Sequence, residues 1–490
     1  MAIVLASLAA RAAGQSELQK FQRQLEQIQR QTRLMAEPSV PPGQRALVNH
    51  GGYLTFNFLT IDDTDQNTHI LRESNLTYFA QVNIDGVHQF FVRGRTTYRD
   101  FNRGDTFDSH GDDWVQPTLD RGHYRFSLKR QIEAYQGRTI DGDLTIQGGR
   151  QLIHWANGLT LSQQIDGGQV NAAIGSLSLH AIGGITRDSS TDIDSSRPGF
   201  SSDTKRGFYG GLLSFQAEPR HRPFIYGLIQ EDYNDNDVLV TPAGDPATTA
   251  DDLRTRFEYT SHYIGIGSSG SLGDRLAYGV EVVYQGGEGL SNSIEFFRAG
   301  DDLTVTQLRQ TRQDIEAFAA DLRFDYLLTD ANRTRLSAEV IIASGDSDRQ
   351  TTTSTLGGNQ SNTDDKAFNA FGLINTGLAF NPNVSNLVMV RVGGSTIPWP
   401  NSSLLRRLQV GVNVFVFHKF DHDAPTDEQD VTEPVKDEAY LGTETDLFAN
   451  WQVTSDVSLT LRYGMFFPGR GIATDHDERH LLFTGLTFAF

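Results

Sequence analysis

The chain has 490 residues, no cysteine, 42 basic and 61 acidic side chains, and a net charge of −19. The missing cysteines exclude a disulfide framework and thiol-based metal or nucleophile chemistry. The acidic balance argues against nucleic acid, which needs a basic surplus to neutralise phosphates. Glycine (47), Phe (30) and Tyr (15) are plentiful, yet mean hydropathy is only −0.39. That is too polar for a bundle of spanning helices, and it suits strands that are apolar on one face only.

Residues 1–14 are apolar and then small, ending Ala9-Ala10-Arg11-Ala12-Ala13-Gly14. They resemble the second half of a secretory signal, with an Ala-rich helix end as the other reading. Residues 15–37 follow as a periplasmic helix with a heptad seam of Leu18, Phe21, Leu25 and Ile28, a surface for self-association. Pro38, Pro41 and Pro42 end it and open a linker over 38–52.

From Tyr53 to Phe490 the apolar period becomes two, as in strands. Short turns such as Asp85-Gly86, Gly273-Asp274, Asp330-Ala331-Asn332 and Ser455-Asp456 alternate with long polar loops near 186–204, 234–253 and 421–437. Tight turns on one side and long loops on the other are the signature of an antiparallel outer-membrane β-barrel. Counting every alternating segment gives nineteen strands, an odd number for a single-chain barrel. Ala367–Phe380 is Asn- and Gly-rich and alternates poorly, so it is assigned to an outer loop over 346–384, leaving about eighteen strands. Leu482, Leu486, Phe488 and Phe490 line one face of the last segment, the kind of terminal strand that the barrel-assembly machinery engages and that faces lipid.

Strand parity assigns the lumen wall. Placing Phe90, Val92 and Tyr98 toward lipid puts Arg93, Arg95 and Arg99 inside, and Tyr124 and Phe126 outside put Arg121, Arg125 and Lys129 inside. The opposite register would set several cations on the lipid face at about 2–4 kcal/mol each near the midplane. The same test points Asp321, Arg323, Asp325, Arg391, Arg407, Lys419, Glu444, Asp446 and Arg462 inward, with Leu441 and Leu447 outward. Most inward acids and bases pair across strands, but the surplus of cations in the third and fourth strands suits an anionic solute or acidic polysaccharide. The competing reading is a structural barrel with a filled lumen. The acidic loops read as solvated surface, with no ordered calcium-loop spacing. Neither His-Glu-x-x-His nor Gly-x-Ser-x-Gly occurs, so no catalytic residues and no cofactor or metal site are assigned.

Several segments resemble one family. Leu441-Gly442-Thr443-Glu444-Thr445-Asp446-Leu447-Phe448, then Val457 to Gly469 ending Phe466-Phe467-Pro468-Gly469, look like the late hairpin of the alginate-export porins. Gly148-Gly149-Arg150-Gln151, Asp166-Gly167-Gly168 and Phe417-His418-Lys419-Phe420 are similar to further segments of that family in the same order. The resemblance covers roughly 140–490. It implies a monomeric eighteen-strand barrel through which a polyuronate passes, with Arg150 as a lumen or rim cation. The heptad helix is not part of the family pattern.

Overall fold

The computed structural model describes residues 46–62, 67–103, 111–187, 205–218, 220–234, 238–241, 253–299, 302–349, 359–426, 435, 437–472 and 477–490. The signal-like segment and the heptad helix lie outside the described residues.

The chain opens with β1 (Leu47–Asp62), which starts ahead of the expected Tyr53, then β2 (Thr68–Ile84), β3 (His88–Phe101) and β4 (Asp113–Ser127). A short helix α1 (Leu128–Gln136) leads to β5 (Gly142–His154), β6 (Ser162–Ile174), β7 (Leu177–Ile185), β8 (Arg206–Phe215) and β9 (His221–Asp232). Hairpin β10 (Val238–Thr241) and β11 (Leu253–Arg256) precedes β12 (Tyr259–Leu272) and β13 (Leu276–Leu290). A second hairpin, β14 (Ile294–Ala299) and β15 (Asp302–Gln307), precedes β16 (Arg312–Leu327) and β17 (Arg335–Ala343). The last five strands are β18 (Leu387–Thr396), β19 (Leu408–His418), β20 (Tyr440–Gln452), β21 (Val457–Pro468) and β22 (Arg479–Ala489).

Apart from the two loop hairpins, each strand pairs antiparallel with its sequential neighbours in one 18-stranded sheet. Pairing of β1 with β22, from Tyr53↔Ala489 to Ile61↔Leu481, closes the ring. Gly52 and Phe490 exchange backbone hydrogen bonds of 3.0 Å at the seam. Closure leaves no free edge strand, which is what permits a sheet to span lipid, although β4 pairs with β5 only from Gly122 to Ser127. Eighteen strands agree with the parity count, and Ala367–Phe380 contributes none of them.

Outward positions are apolar and exposed, among them Val92, Ile146, Ile229, Ile266, Val282, Leu336 and Val392. Tyrosines flank this band at both ends. Near the short turns, Tyr78 bonds His50 at 3.0 Å, Tyr124 bonds His88 at 2.7 Å and Tyr278 bonds His221 at 3.0 Å. Near the long loops, Tyr209 bonds Tyr233 at 3.1 Å and Tyr98 packs beside Trp114. Such girdles mark the two membrane–water interfaces.

Two local departures from simple alternation matter. Strand β4 stops at Ser127, whose side chain accepts the Arg130 N–H as the N-cap of α1, and Gly137 ends the helix at φ 62°. The register slips between Phe417 and His418, where Gly442 sits at φ 142°. That bulge turns Leu441 inward, into a fully buried site, instead of toward lipid.

Candidate functional site

The inward faces of β3 and β4 carry a strip of guanidinium groups. Register pairs set Arg93 beside Arg121 and Gln89 beside Arg125. Arg93 forms an ion pair with Asp120, which sits in the bulge between Leu119 and Arg121 and lies within electrostatic reach of Arg95 and Arg121 as well. Arg99 lies 3.5 Å from Glu73 of β2, a carboxylate that also accepts from Asn57 and Asn75. Five guanidinium groups thus face the carboxylates of Glu73, Asp113 and Asp120, and the strip stays net positive. Lys129 is not part of it: the residue lies on α1, beyond the end of β4.

Across the lumen the wall carries both signs of charge. In the eighteen-strand circuit β3 and β4 take places three and four, and β16 and β17 places twelve and thirteen, half a turn away. Glu281 and Asp321 are register partners, as are Arg323 and Glu339. Arg391 meets Glu339 at 2.5 Å, and Arg335 grips Asp325 at 2.9 and 2.7 Å. Arg462 reaches the Phe448 ring at 5.1 Å and lies among the inward groups with Asp446.

Three further residues fall elsewhere than expected, Arg407 and Lys419 from parity and Arg150 from the family resemblance. Arg407 is exposed in the turn before β19. Lys419 follows β19 into the outer loop, where its ammonium donates to the carbonyls of His422 (3.4 Å) and Val435 (2.9 Å). Burial pushes that ammonium below its usual pKa, against the pull of Asp423, Asp421 and Glu438. Arg150 forks onto Asp166 at 2.7 and 2.9 Å and donates to the Leu119 carbonyl at 3.0 Å. It shares the parity of Ile146, which is exposed on the outer face, so Arg150 does not line the lumen.

The long segment between β17 and β18 folds inward. The Asn369 N–H donates to Gln285 at 2.9 Å, and its carbonyl accepts from the Tyr263 hydroxyl at 2.7 Å, on β13 and β12. Farther along, the N–H groups of Leu378, Ala379 and Phe380 all point at the Glu444 carboxylate of β20, the last two at 2.8 Å. Gly377 precedes this nest at φ 106°, and a Cβ there would meet the carboxylate at 2.8 Å. Phe380 stacks on Phe466 with ring centroids 4.3 Å apart. The segment therefore crosses the lumen as a chord from β12–β13 to β20. It seats Phe368 and Phe371 in one apolar cluster of the wall and Leu378 and Phe380 in another.

A shorter loop over Trp155–Leu161 joins the first cluster and meets the chord, the Phe371 N–H donating to the Thr160 carbonyl at 3.0 Å. The Trp155 indole N–H donates to His180 Nδ1 at 3.1 Å, so His180 Nε2–H donates to Gln169 at 2.7 Å. Gln169 and Gln147 then donate to Gln151 at 2.9 and 2.7 Å. Nearer the short turns, Arg222 of β9 donates to Ser214 (2.9 Å) and Ser178 (3.0 Å) beside a cavity of about 110 Å³ that includes Asn171 and His180. Sequence reading did not single out Arg222; the inward parity of β9, with Phe224 and Tyr226 buried on the same side, was the available signal.

In the outer loops, His422, Asp423 and Asp437 place three ligand atoms within 4.8 Å of one another, the one such group among the described residues. They lie at the membrane-distal surface, away from the strip and the chord.

The alginate export family model matches residues 119–480. Among curated proteins none matches the chain. Solved structures with a similar fold include the Pseudomonas aeruginosa proteins OccK8 (OprE), at TM-score 0.51, 10% identity and coverage of 90% of this chain and 98% of that one. OccK11 (OpdR) of the same organism aligns at TM-score 0.51 and 10% identity, covering 93% and 99%. OccK5 (OpdH) aligns at 0.51 and 10%, covering 90% and 98%. With an apolar band between two girdles, a closed ring and a charged, loop-lined interior, the chain belongs to the alginate-export family and is a porin of the bacterial outer membrane.

Proposed function

We propose that the lumen conducts anionic solutes, with carboxylated saccharides as the class that best fits its lining. The observation that carries this reading is the net positive strip of Arg93, Arg95, Arg99, Arg121 and Arg125 facing a mixed wall in which Arg335 pairs with Asp325 and Arg391 with Glu339. Guanidinium forks match carboxylates bidentately, and amide and hydroxyl side chains such as Gln147, Gln151, Gln169 and Asn171 suit sugar hydroxyls. Arg222 extends the cationic lining toward the short-turn mouth. The chord sets the size of solute admitted.

The test is solute flux into proteoliposomes. Arg95→Gln, Arg121→Gln and Arg125→Gln together leave the ion-paired Arg93 and Arg99 in place. Each removed charge within about 4 Å of a passing anion in water changes its energy by about 1 kcal/mol, a several-fold effect. Glucuronate influx is expected to fall several-fold while glucose influx holds. Equal influx of glucuronate in both proteins would sink the assignment of selectivity to this strip.

The second reading, an anchor barrel with a filled lumen, draws on the same chord, which is bonded to both halves of the wall. Flux of neither solute through correctly folded protein would favour it.

A further inference from the structure

The outer face of the barrel is not uniformly convex. Across β18–β21, near the short-turn end, small side chains at Gly394, Thr396 and Ala449 leave a groove of about 590 Å³. Its walls are Val410, Val412, Leu447, Leu461 and Tyr463, almost wholly apolar. Leu447 and Leu461 are exposed on the lipid side and Asp446 and Arg462, their sequence neighbours, are buried inside, so the groove opens into the membrane and not into the lumen.

The groove ends at two neighbouring turns. Thr334 closes one and lines the groove, and its hydroxyl lies 3.1 Å from that of Thr396. The Ile397 N–H donates to the Asn332 carbonyl at 2.8 Å, locking the turns together. Turns 328–334 and 397–407 carry Arg333, Arg406 and Arg407, all exposed, against a single carboxylate, Asp330, which already accepts the Thr334 hydroxyl and N–H. Trp399 and Leu404 are also exposed there, and Trp451 donates its indole N–H to the Leu404 carbonyl at 3.2 Å. Exposed Trp and Leu beside clustered Arg at this level is the composition of a membrane-interface segment. On a chain with a net charge of −19, this local basic surplus runs against the overall balance.

We infer that this face is a binding site for an anionic glycerophospholipid of the inner leaflet, one acyl chain lying in the Gly394–Ala449 groove and the phosphate held at Arg333, Arg406 and Arg407. Lipid is the occupant because the groove faces acyl chains, out of reach of water-soluble partners, while the turns at its mouth carry three arginines against the carboxylates of Asp330 and Asp456. Apolar burial of the chain supplies affinity, and the arginines supply the preference for negative headgroups.

Native mass spectrometry of the full-length protein in detergent, titrated with dioleoyl phosphatidylglycerol or dioleoyl phosphatidylcholine, tests it. Wild-type protein is expected to retain phosphatidylglycerol over phosphatidylcholine by about tenfold, as clustered basic residues at a lipid surface produce. Arg333→Gln, Arg406→Gln and Arg407→Gln together should abolish that preference. Ala449→Leu, which fills the groove without touching charge, should lower retention of both lipids. Heat-modifiable gel migration checks that each variant is folded. Wild-type retention of phosphatidylglycerol by either variant would overturn the site, as would a dimer forming through this face in place of bound lipid.

Discussion

Arg206 and Asp232 sit at the loop end of β8 and β9 with almost no exposure, 3.3 Å apart, the guanidinium also donating to the Tyr259 carbonyl at 2.8 Å and lying over the Phe371 ring. This pair ties the wall to the chord. Removing one partner strands the other charge in a buried site, a loss of about 3–5 kcal/mol. Arg206→Met should therefore lower the guanidinium unfolding midpoint clearly, and Arg206→Met with Asp232→Leu should recover part of the loss. An unchanged midpoint in the single variant would show the pair to be incidental. At this scale much was legible in the sequence, because a charge on the lipid face is so costly that parity alone assigns Arg93, Arg95, Arg99, Asp321, Arg323 and Arg391 to the interior. Parity failed where alternation itself broke, at the Gly442 bulge that inverts Leu441 and in the turn that holds Arg407. Arg150 was assigned by the family resemblance and not by parity, and its charge is met by Asp166 on the outer face.

Among the elements, the chord between β17 and β18 governs how the interior is shaped. Its Glu444 nest uses one carboxylate to fix three consecutive N–H groups, and hydrogen bonds to a charged acceptor are worth about 1.5–3 kcal/mol each. Glu444→Gln keeps the shape and removes the charge, so the chord should loosen. In single-channel recordings the expected outcome is larger open-state current noise and higher mean conductance. Gly377→Ala should act the same way, since the new Cβ both strains φ 106° and collides with the carboxylate. Quiet wild-type traces from both variants would mean that the nest does not hold the chord. Sequence reading placed this segment outside the wall because it is Asn- and Gly-rich, but its partners lie on β12, β13 and β20, far away in sequence, and no local pattern announces them. Helix α1 was different. Ser127, Gly137 and the spacing of Leu128, Ile132 and Tyr135 were readable as a capped helix, yet the same residues also fit the end of an alternating strand, and the strand reading sent Lys129 to the wrong place.

For the whole molecule, ring closure between β1 and β22 makes the barrel one cooperative unit in lipid. The proposed anion preference rests on the net positive strip and the mixed wall half a turn away, on a chain that is acidic as a whole. In the sequence the acidic side chains concentrate between strands, in stretches such as 186–204, 234–253 and 421–437. The most direct measurement is the zero-current potential of the wild-type protein in a planar bilayer under a potassium chloride gradient. The account predicts a potential displaced toward the chloride equilibrium value, with the displacement shrinking as salt rises and screens the strip. A potential displaced toward the potassium value, or no conductance from folded protein, would contradict it.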